Sequence, residues 1–101
     1  GNLIGTNATG TAALSNSGDG IRIDHGELLA QIIGGNVISG NGQVGIQIVN
    51  GSLADVQGNF VGTDRTGNFA IANQVGIKSE SYIKIIGNVV SGNSSDGIEL
   101  G

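Results

Sequence analysis

Gly35-Asn36-Val37-Ile38-Ser39-Gly40-Asn41-Gly42-Gln43-Val44-Gly45-Ile46-Gln47-Ile48 contains the pattern that decides the fold. Its opening phrase is Gly-Asn, two apolar residues, then Gly or Ser. The phrase recurs as Gly1-Asn2-Leu3-Ile4-Gly5, Gly58-Asn59-Phe60-Val61-Gly62 and Gly87-Asn88-Val89-Val90-Ser91. Its closing phrase, Gly-Ile, follows every copy: Gly20-Ile21, Gly45-Ile46, Gly76-Ile77 and Gly97-Ile98. Two phrases alternating in fixed order mean one structural unit used repeatedly. Such a unit cannot bury its apolar face alone and must stack on its neighbours.

Within a unit the period is two. Apolar and polar residues alternate in Gly20-Ile21-Arg22-Ile23-Asp24, in Gly45-Ile46-Gln47-Ile48 and in Tyr82-Ile83-Lys84-Ile85. That is the signature of short strands with β-branched residues on one face. Gly, Asn and Ser bound each run and supply the turns. No stretch carries a helical period, and Glu27 to Gln31 and Ser79 to Ser81 read as loop. The expected inward rows are Ile4, Ile38, Val61, Val90; Ile21, Ile46, Ile77, Ile98; Ile23, Ile48, Ser79, Leu100; and Ile33, Val56, Ile85.

The units are of two lengths. Ile4 to Asn16 and Val61 to Asn73 each span 12 positions, whereas Ile38 to Asn41 and Val90 to Asn93 span 3. The long units carry matching insertions, with Gly5-Thr6-Asn7-Ala8-Thr9-Gly10 corresponding to Gly62-Thr63-Asp64-Arg65-Thr66-Gly67. Ala12-Ala13-Leu14 then corresponds to Phe69-Ala70-Ile71. Asn7-Ala8-Thr9-Gly10 and Asp64-Arg65-Thr66-Gly67 read as β-turns with Gly in fourth place. The expected fold is all-β: a parallel β-helix, or β-solenoid, of about three and a half rungs with long and short rungs alternating and no end caps. The rungs fall at about 1–34, 35–57, 58–86 and 87–101 of a single segment, which reads as a piece of a longer array.

Position in the repeat gives the asparagines a role. Asn2, Asn36, Asn59 and Asn88 are expected to stack at one corner, where Asn tolerates a tight bend and its amide can bond from rung to rung. Asn16, Asn41, Asn73 and Asn93 form a second corner row, although Asn73-Gln74-Val75-Gly76 is one residue shorter than Asn41-Gly42-Gln43-Val44-Gly45.

Here the repeats resemble a known family. Gly-Asn-x-Ile-x-Gly-Asn followed by x-x-x-Gly-Ile-x-Ile looks like the right-handed parallel β-helix repeat of the pectin-lyase-like superfamily, across essentially the whole chain. The Gly-Thr-(Asn/Asp)-x-Thr-Gly insertion is similar to one in long bacterial surface and secreted proteins. The resemblance implies a right-handed coil and an extracellular or cell-surface location. It also implies that a polysaccharide, if bound, lies along the outer face of one parallel sheet. It implies no single activity, because this architecture serves lyases, hydrolases, epimerases and passive scaffolds.

Composition narrows the functions. Gly is 20 of 101 residues, Pro and Cys are absent, and charged residues are 12% of the chain. Without cysteine there are no disulfides or thiolate metal sites. Four basic residues and a net charge of −4 leave no basic stripe for nucleic acid or an anionic membrane. No apolar run reaches the ~20 residues of a membrane span. No cofactor is expected, and a surface built from Asn, Ser, Thr and Gln suits hydroxyl-rich ligands such as glycans.

One outward row reads Arg22, Gln47, Lys78, Glu99 and the next Asp24, Val49, Glu80, with His25 beyond. Arg22, Asp24, His25, Lys78 and Glu80 are the candidate catalytic residues of a glycan-processing face. Asp24 and Glu80 would lie two rungs apart, on the order of 9.6 Å between backbones, near the ~6.5–9.5 Å carboxyl spacing of inverting glycosidases. The plainer reading is solvated or paired charges, with Lys78 and Glu99 as a cross-strand ion pair and His25 as a turn residue. No carboxylate cluster suggests a metal. Asp19 and Asp96, each before a Gly-Ile phrase, are expected to accept backbone N–H groups.

Leu3, Val37, Phe60 and Val89 should point outward as an apolar column. That is a contact patch unless the insertions fold back over it, which is the reading favoured here. The sequence therefore points to a structural or adhesive module that binds glycans. The alternatives are a segment of a polysaccharide lyase, glycoside hydrolase or epimerase, and a scaffold that self-associates end to end or laterally.

Overall fold

The computed structural model describes residues 1–24, 30–50, 52–80 and 83–100. Within them there is no helix, and the strands form three wholly parallel sheets. The first sheet stacks β1 (Leu3–Ile4), β4 (Val37–Ile38), β7 (Phe60–Val61) and β10 (Val89–Val90) in chain order. The second stacks β2 (Ile21–Asp24), β5 (Val44–Val49), β8 (Val75–Ser79) and β11 (Ile98–Leu100). The third stacks β3 (Ala30–Ile33), β6 (Ala54–Gln57) and β9 (Ile83–Ile86). Each strand pairs with its counterpart in the next repeat, as in a β-solenoid. Ser79 and Ala30–Gln31, read from sequence as loop, belong to β8 and β3.

The core is the column of inward side chains. Ile38, Ile46, Ile48, Val56, Val61 and Ile77 are fully buried, and Ile4, Ile21, Ile23, Ile83, Ile85 and Val90 pack against them. No single layer could bury these groups. The stack removes each from water on both sides, worth roughly 1.5–3 kcal/mol per large aliphatic side chain. At the last layer Ile98 and Leu100 keep the expected register but are 44% and 68% exposed, having a neighbour on one side only.

One expected row is corrected. The inward row of the third sheet is Ile32, Val56, Ile85, without Ile33, which pairs with Gln57 and is 47% exposed. The first layer has one more glycine before its Asn than the later layers: Gly34-Gly35, against Gly58 and Gly87 alone. Both take left-handed backbone, with φ of 100° and 73°, and the bend absorbs the extra residue. Counting back from Asn36 therefore lands one residue off. At the other corner, the deficit at Asn73-Gln74-Val75 is absorbed by Gln43, whose carbonyl accepts from both Gln74 and Val75. Val44 and Val75 remain paired.

The insertions are antiparallel hairpins, bridged at Thr6–Ala13 and Thr63–Ala70. Each closes through the expected turn, with Gly10 N–H donating to Asn7 O at 3.0 Å and Gly67 N–H to Asp64 O at 3.1 Å. They lean onto the short layers. A Cβ on Gly40 would lie 2.8 Å from the Ala13 Cβ, and one on Gly92 2.7 Å from the Ala70 Cβ. The second hairpin also reaches back, since Gly40 N–H donates to Ile71 O at 2.9 Å. A two-stranded hairpin occupies about two strand spacings along the stack. Adjacent layers therefore could not both carry one, which explains the alternation of long and short units.

Candidate functional site

Two kinds of arrangement stand out, internal ladders of amides and an outer face bearing charge. In the first ladder the Nδ2 groups of Asn2, Asn36 and Asn59 donate to the Oδ1 of Asn36, Asn59 and Asn88 at 3.0, 2.8 and 3.1 Å. In the second, those of Asn16, Asn41 and Asn73 donate to Asn41, Asn73 and Asn93 at 2.9, 2.9 and 3.0 Å. Most rungs are doubled. The backbone N–H of Asn2, Asn36, Asn59, Asn41 and Asn73 donates to the same acceptor as its side chain. Several amides also reach back to a strand carbonyl of the preceding layer, as Asn59 does to Ile32 at 2.7 Å and Asn73 to Ile38 at 2.9 Å. These bonds occupy the inner amides Asn36, Asn59, Asn41 and Asn73, so there they cement the layers and are not open to a ligand.

The outer face of the second sheet brings the candidate charged residues together. Arg22, Gln47, Lys78 and Glu99 stand in one register row, and Asp24 lies beside Val49 in the next. Glu80 follows β8, its N–H donating to Ile48 O at 3.0 Å. The charges are paired along and across this face. Arg22 lies 3.7 Å from both Asp19 and Asp24, and Lys78 lies 3.7 Å from Glu99. Asn50 Nδ2 donates to Asp24 Oδ1 at 2.6 Å. Exposed pairs of this kind contribute little stability. Asp24, at the end of β2, and Glu80, just after β8, stand two layers apart, and Asp24 already serves Arg22 and Asn50. His25 lies outside the described residues.

Asp19 accepts the Val44 N–H at 3.0 Å, as its position before Gly20 implies. Asp96 departs from that expectation: its backbone carbonyl accepts from Gly76, and its carboxylate makes no such bond among the described residues. Asp64 is the hairpin's anchor. Its Oδ1 accepts from the Thr66 hydroxyl at 2.6 Å and from the Thr66 N–H at 3.0 Å. The Thr66 hydroxyl bond, aided by backbone N–H groups and opposed by burial, holds its carboxyl below the ordinary range. Asn7 fills the same place without charge, accepting from Thr9 and Thr11. Among the described residues no three His, Cys, Asp or Glu are placed to hold a metal. No helix of those residues is long and apolar enough to cross a membrane.

The column Leu3, Val37, Phe60, Val89 is in register on the outer side of the first sheet. The hairpins do fold over it. Gly10 approaches Leu3, and Gly67 approaches Phe60 and Val89. Val37 is 1% exposed, Leu3 and Phe60 are half-buried, and Val89 remains 37% exposed. What stands outside instead is Leu14 and Phe69 on the hairpins, 71% and 70% exposed. Both lie in the apolar segments of the insertions, Ala12-Ala13-Leu14 and Phe69-Ala70-Ile71, yet neither covers the column.

A buried link was also missed. The Ser39 hydroxyl donates to Thr63 O at 2.6 Å and accepts from Gly62 N–H at 3.0 Å, tying a short layer to the next hairpin. The signal was present: the fifth residue of the Gly-Asn phrase is Gly in the long units and Ser in the short ones. No protein-family model, curated protein or solved structure matches the chain.

Proposed function

We propose that the chain is a structural and adhesive module, a rigid β-solenoid whose polar outer faces contact glycans. The two amide ladders carry this reading. They run through every layer, and no described side-chain polar atom that is buried lacks a partner. Such a stack resists shear and presents fixed side-chain rows at regular spacing. The chain on this reading winds as a right-handed coil of about three and a half rungs. It belongs with the pectin-lyase-like repeats that its phrases resemble, and it works outside the cell. Gln47, the uncharged polar member of the Arg22–Gln47–Lys78–Glu99 row, is suited to sugar hydroxyls.

A glycan-array screen of the folded chain, with product analysis on acidic and neutral polysaccharides, tests the proposal. Binding without turnover, weakened by Gln47→Ala together with Lys78→Ala, is the expected result. Cleavage or epimerisation lost on Asp24→Ala or Glu80→Ala would replace it with an enzyme reading. Silence toward every glycan would remove the adhesive part and leave a spacer.

A further inference from the structure

The two hairpins match in fold but not in charge. Asn7-Ala8-Thr9-Gly10 in the first corresponds to Asp64-Arg65-Thr66-Gly67 in the second. Arg65 reaches back across the short layer to the first hairpin. Gly10 is buried there, and a Cβ on it would lie 3.2 Å from Leu3 Cδ2 and 3.8 Å from Arg65 Nη2. The guanidinium is thus held against the first turn, on a side chain that is itself exposed.

No described carboxylate neutralises it. Of the four basic residues, Arg22 and Lys78 are paired with carboxylates on the second sheet. Arg65 and Lys84 have no ion pair among the described residues, and Lys84 stands in register beside Asp55 on the third sheet. Asp64, next to Arg65 in the chain, is 9% exposed and accepts from Thr66 of its own turn. The turn that Arg65 faces carries the neutral Asn7 in the place of Asp64.

That turn offers hydroxyls. Thr9 and Thr11 flank Gly10, both are exposed, and their oxygens lie 2.8 Å apart. Thr9 donates to Asn7 Oδ1 at 3.1 Å, and Asn7 Nδ2 donates to Thr11 at 3.3 Å. The proton between the two threonines is then that of Thr11, so each oxygen keeps one lone pair for an incoming hydroxyl.

We propose that Arg65 and the first turn form a subsite for an acidic saccharide, the guanidinium taking its carboxylate or sulfate and the Thr9 and Thr11 oxygens its hydroxyls. A guanidinium fork matches either anion with two parallel bonds. The inference rests on the glycan-binding reading above and adds where charge is recognised. The cations of the sheet face are already paired with carboxylates, and Arg65 is not. Ala8 stands in Arg65's place on the first hairpin, so the two hairpins together make one such subsite among the described residues.

The test is binding to three polymers with one sugar backbone: neutral dextran, carboxymethyl-dextran and dextran sulfate. The parent, despite its net charge of −4, should bind at least one anionic polymer more tightly than dextran. The tighter of the two tells carboxylate from sulfate. Arg65→Gln should weaken that binding about tenfold. Asn7→Asp should weaken it as well, by giving the guanidinium a carboxylate of the protein's own, and it places in the first turn the residue that the second turn already carries. Lys84→Gln makes the same change in net charge and should keep the parent's affinity. Circular dichroism checks that all three variants retain the fold. Anionic polymers bound no better than dextran, or equal losses in all three variants, overturn the proposal. Its failure is separable from that of the reading beneath it. Neutral glycans bound without any preference for acidic chains remove this subsite alone, and silence toward every saccharide removes both. Arg65-dependent binding that Gln47→Ala with Lys78→Ala leaves intact keeps the subsite and removes the sheet face.

Discussion

Replacing Asn73 with alanine should cost far more than the same change at Asn2, although both stand in amide ladders. Asn73 is fully buried. Its Nδ2 donates to Asn93 Oδ1 and to Ile38 O, and its Oδ1 accepts from both the side chain and the backbone N–H of Asn41. Some partners survive its loss. Ile38 O still accepts from Gly62, and Asn93 Oδ1 still accepts from the Asn73 backbone. The two donors of Asn41 lose their best acceptor in a buried site, leaving the side chain only its 3.5 Å contact with Ser39 O. A buried donor left unpaired costs about 1–3 kcal/mol, and each further bond lost about 0.5–1.5. The expected destabilisation is therefore about 4 kcal/mol, a large share of the ~5–15 kcal/mol typical of a folded domain. Asn2 is exposed and its side chain makes a single ladder bond, so Asn2→Ala should cost about 1 kcal/mol or less. Urea denaturation followed by far-UV circular dichroism measures both. Equal costs at the two positions would refute the view that the ladder acts through buried donors and acceptors.

Other substitutions probe the hairpins. Gly40→Ala should destabilise by about 1–3 kcal/mol, because the new Cβ meets Gly5 O at 2.7 Å and Ala13 Cβ at 2.8 Å, and φ is 73°. The double variant with Ala13→Gly, in the same denaturation experiment, should recover only the part due to the Ala13 Cβ, because the Gly5 carbonyl contact and the strained φ remain. Ser39→Ala should cost about 1–3 kcal/mol, since it removes two buried bonds, the hydroxyl's donation to Thr63 O and its acceptance from Gly62 N–H, which keeps only Ile38 O; a thermal melt indistinguishable from the parent would count against that bridge. Asp64 has its carboxyl depressed, so its contribution is full above the unfolded carboxylate value near 3.8 and fades as pH falls through the lower folded value. Acid should therefore loosen the second hairpin before the first, where Asn7 does not titrate. Thr66 amide exchange followed by NMR should show this, and Asp64→Asn should abolish the difference.

The stacking was legible because its cause is local. Each Gly-Asn phrase sets a corner and each Gly-Ile phrase starts a strand, so register follows from counting between phrases. Counting failed where a bend absorbed a residue, at Gly34-Gly35, because adjacent isoleucines let either Ile32 or Ile33 satisfy a period of two. It also could not tell which hairpin residues would be covered. Leu14 and Ile71 are equivalent in sequence and opposite in exposure, Ile71 lying against the Gly40 bend of the short layer before it. The charged face was legible as a row and in its Lys78–Glu99 pair, but the Arg22–Asp19 pair was not. Arg22 lies between Asp19 and Asp24, and Asp19 comes from the turn before the strand. The role of Ser39 was marked only by the alternation of Gly and Ser in the fifth place of the phrase, since its partners Gly62 and Thr63 lie in the next layer, more than 20 residues away.

The most direct measurement is NMR detection of scalar couplings through the amide ladders, from each asparagine nitrogen to the side-chain carbonyl carbon of its acceptor. Couplings should run in chain order from Asn36 to Asn59 and on to Asn88, and from Asn41 to Asn73 and on to Asn93. Asn-to-Asn couplings in any other order, or cross-strand contacts joining neighbouring segments in antiparallel fashion in place of equivalent positions of successive repeats, would contradict the stacked solenoid.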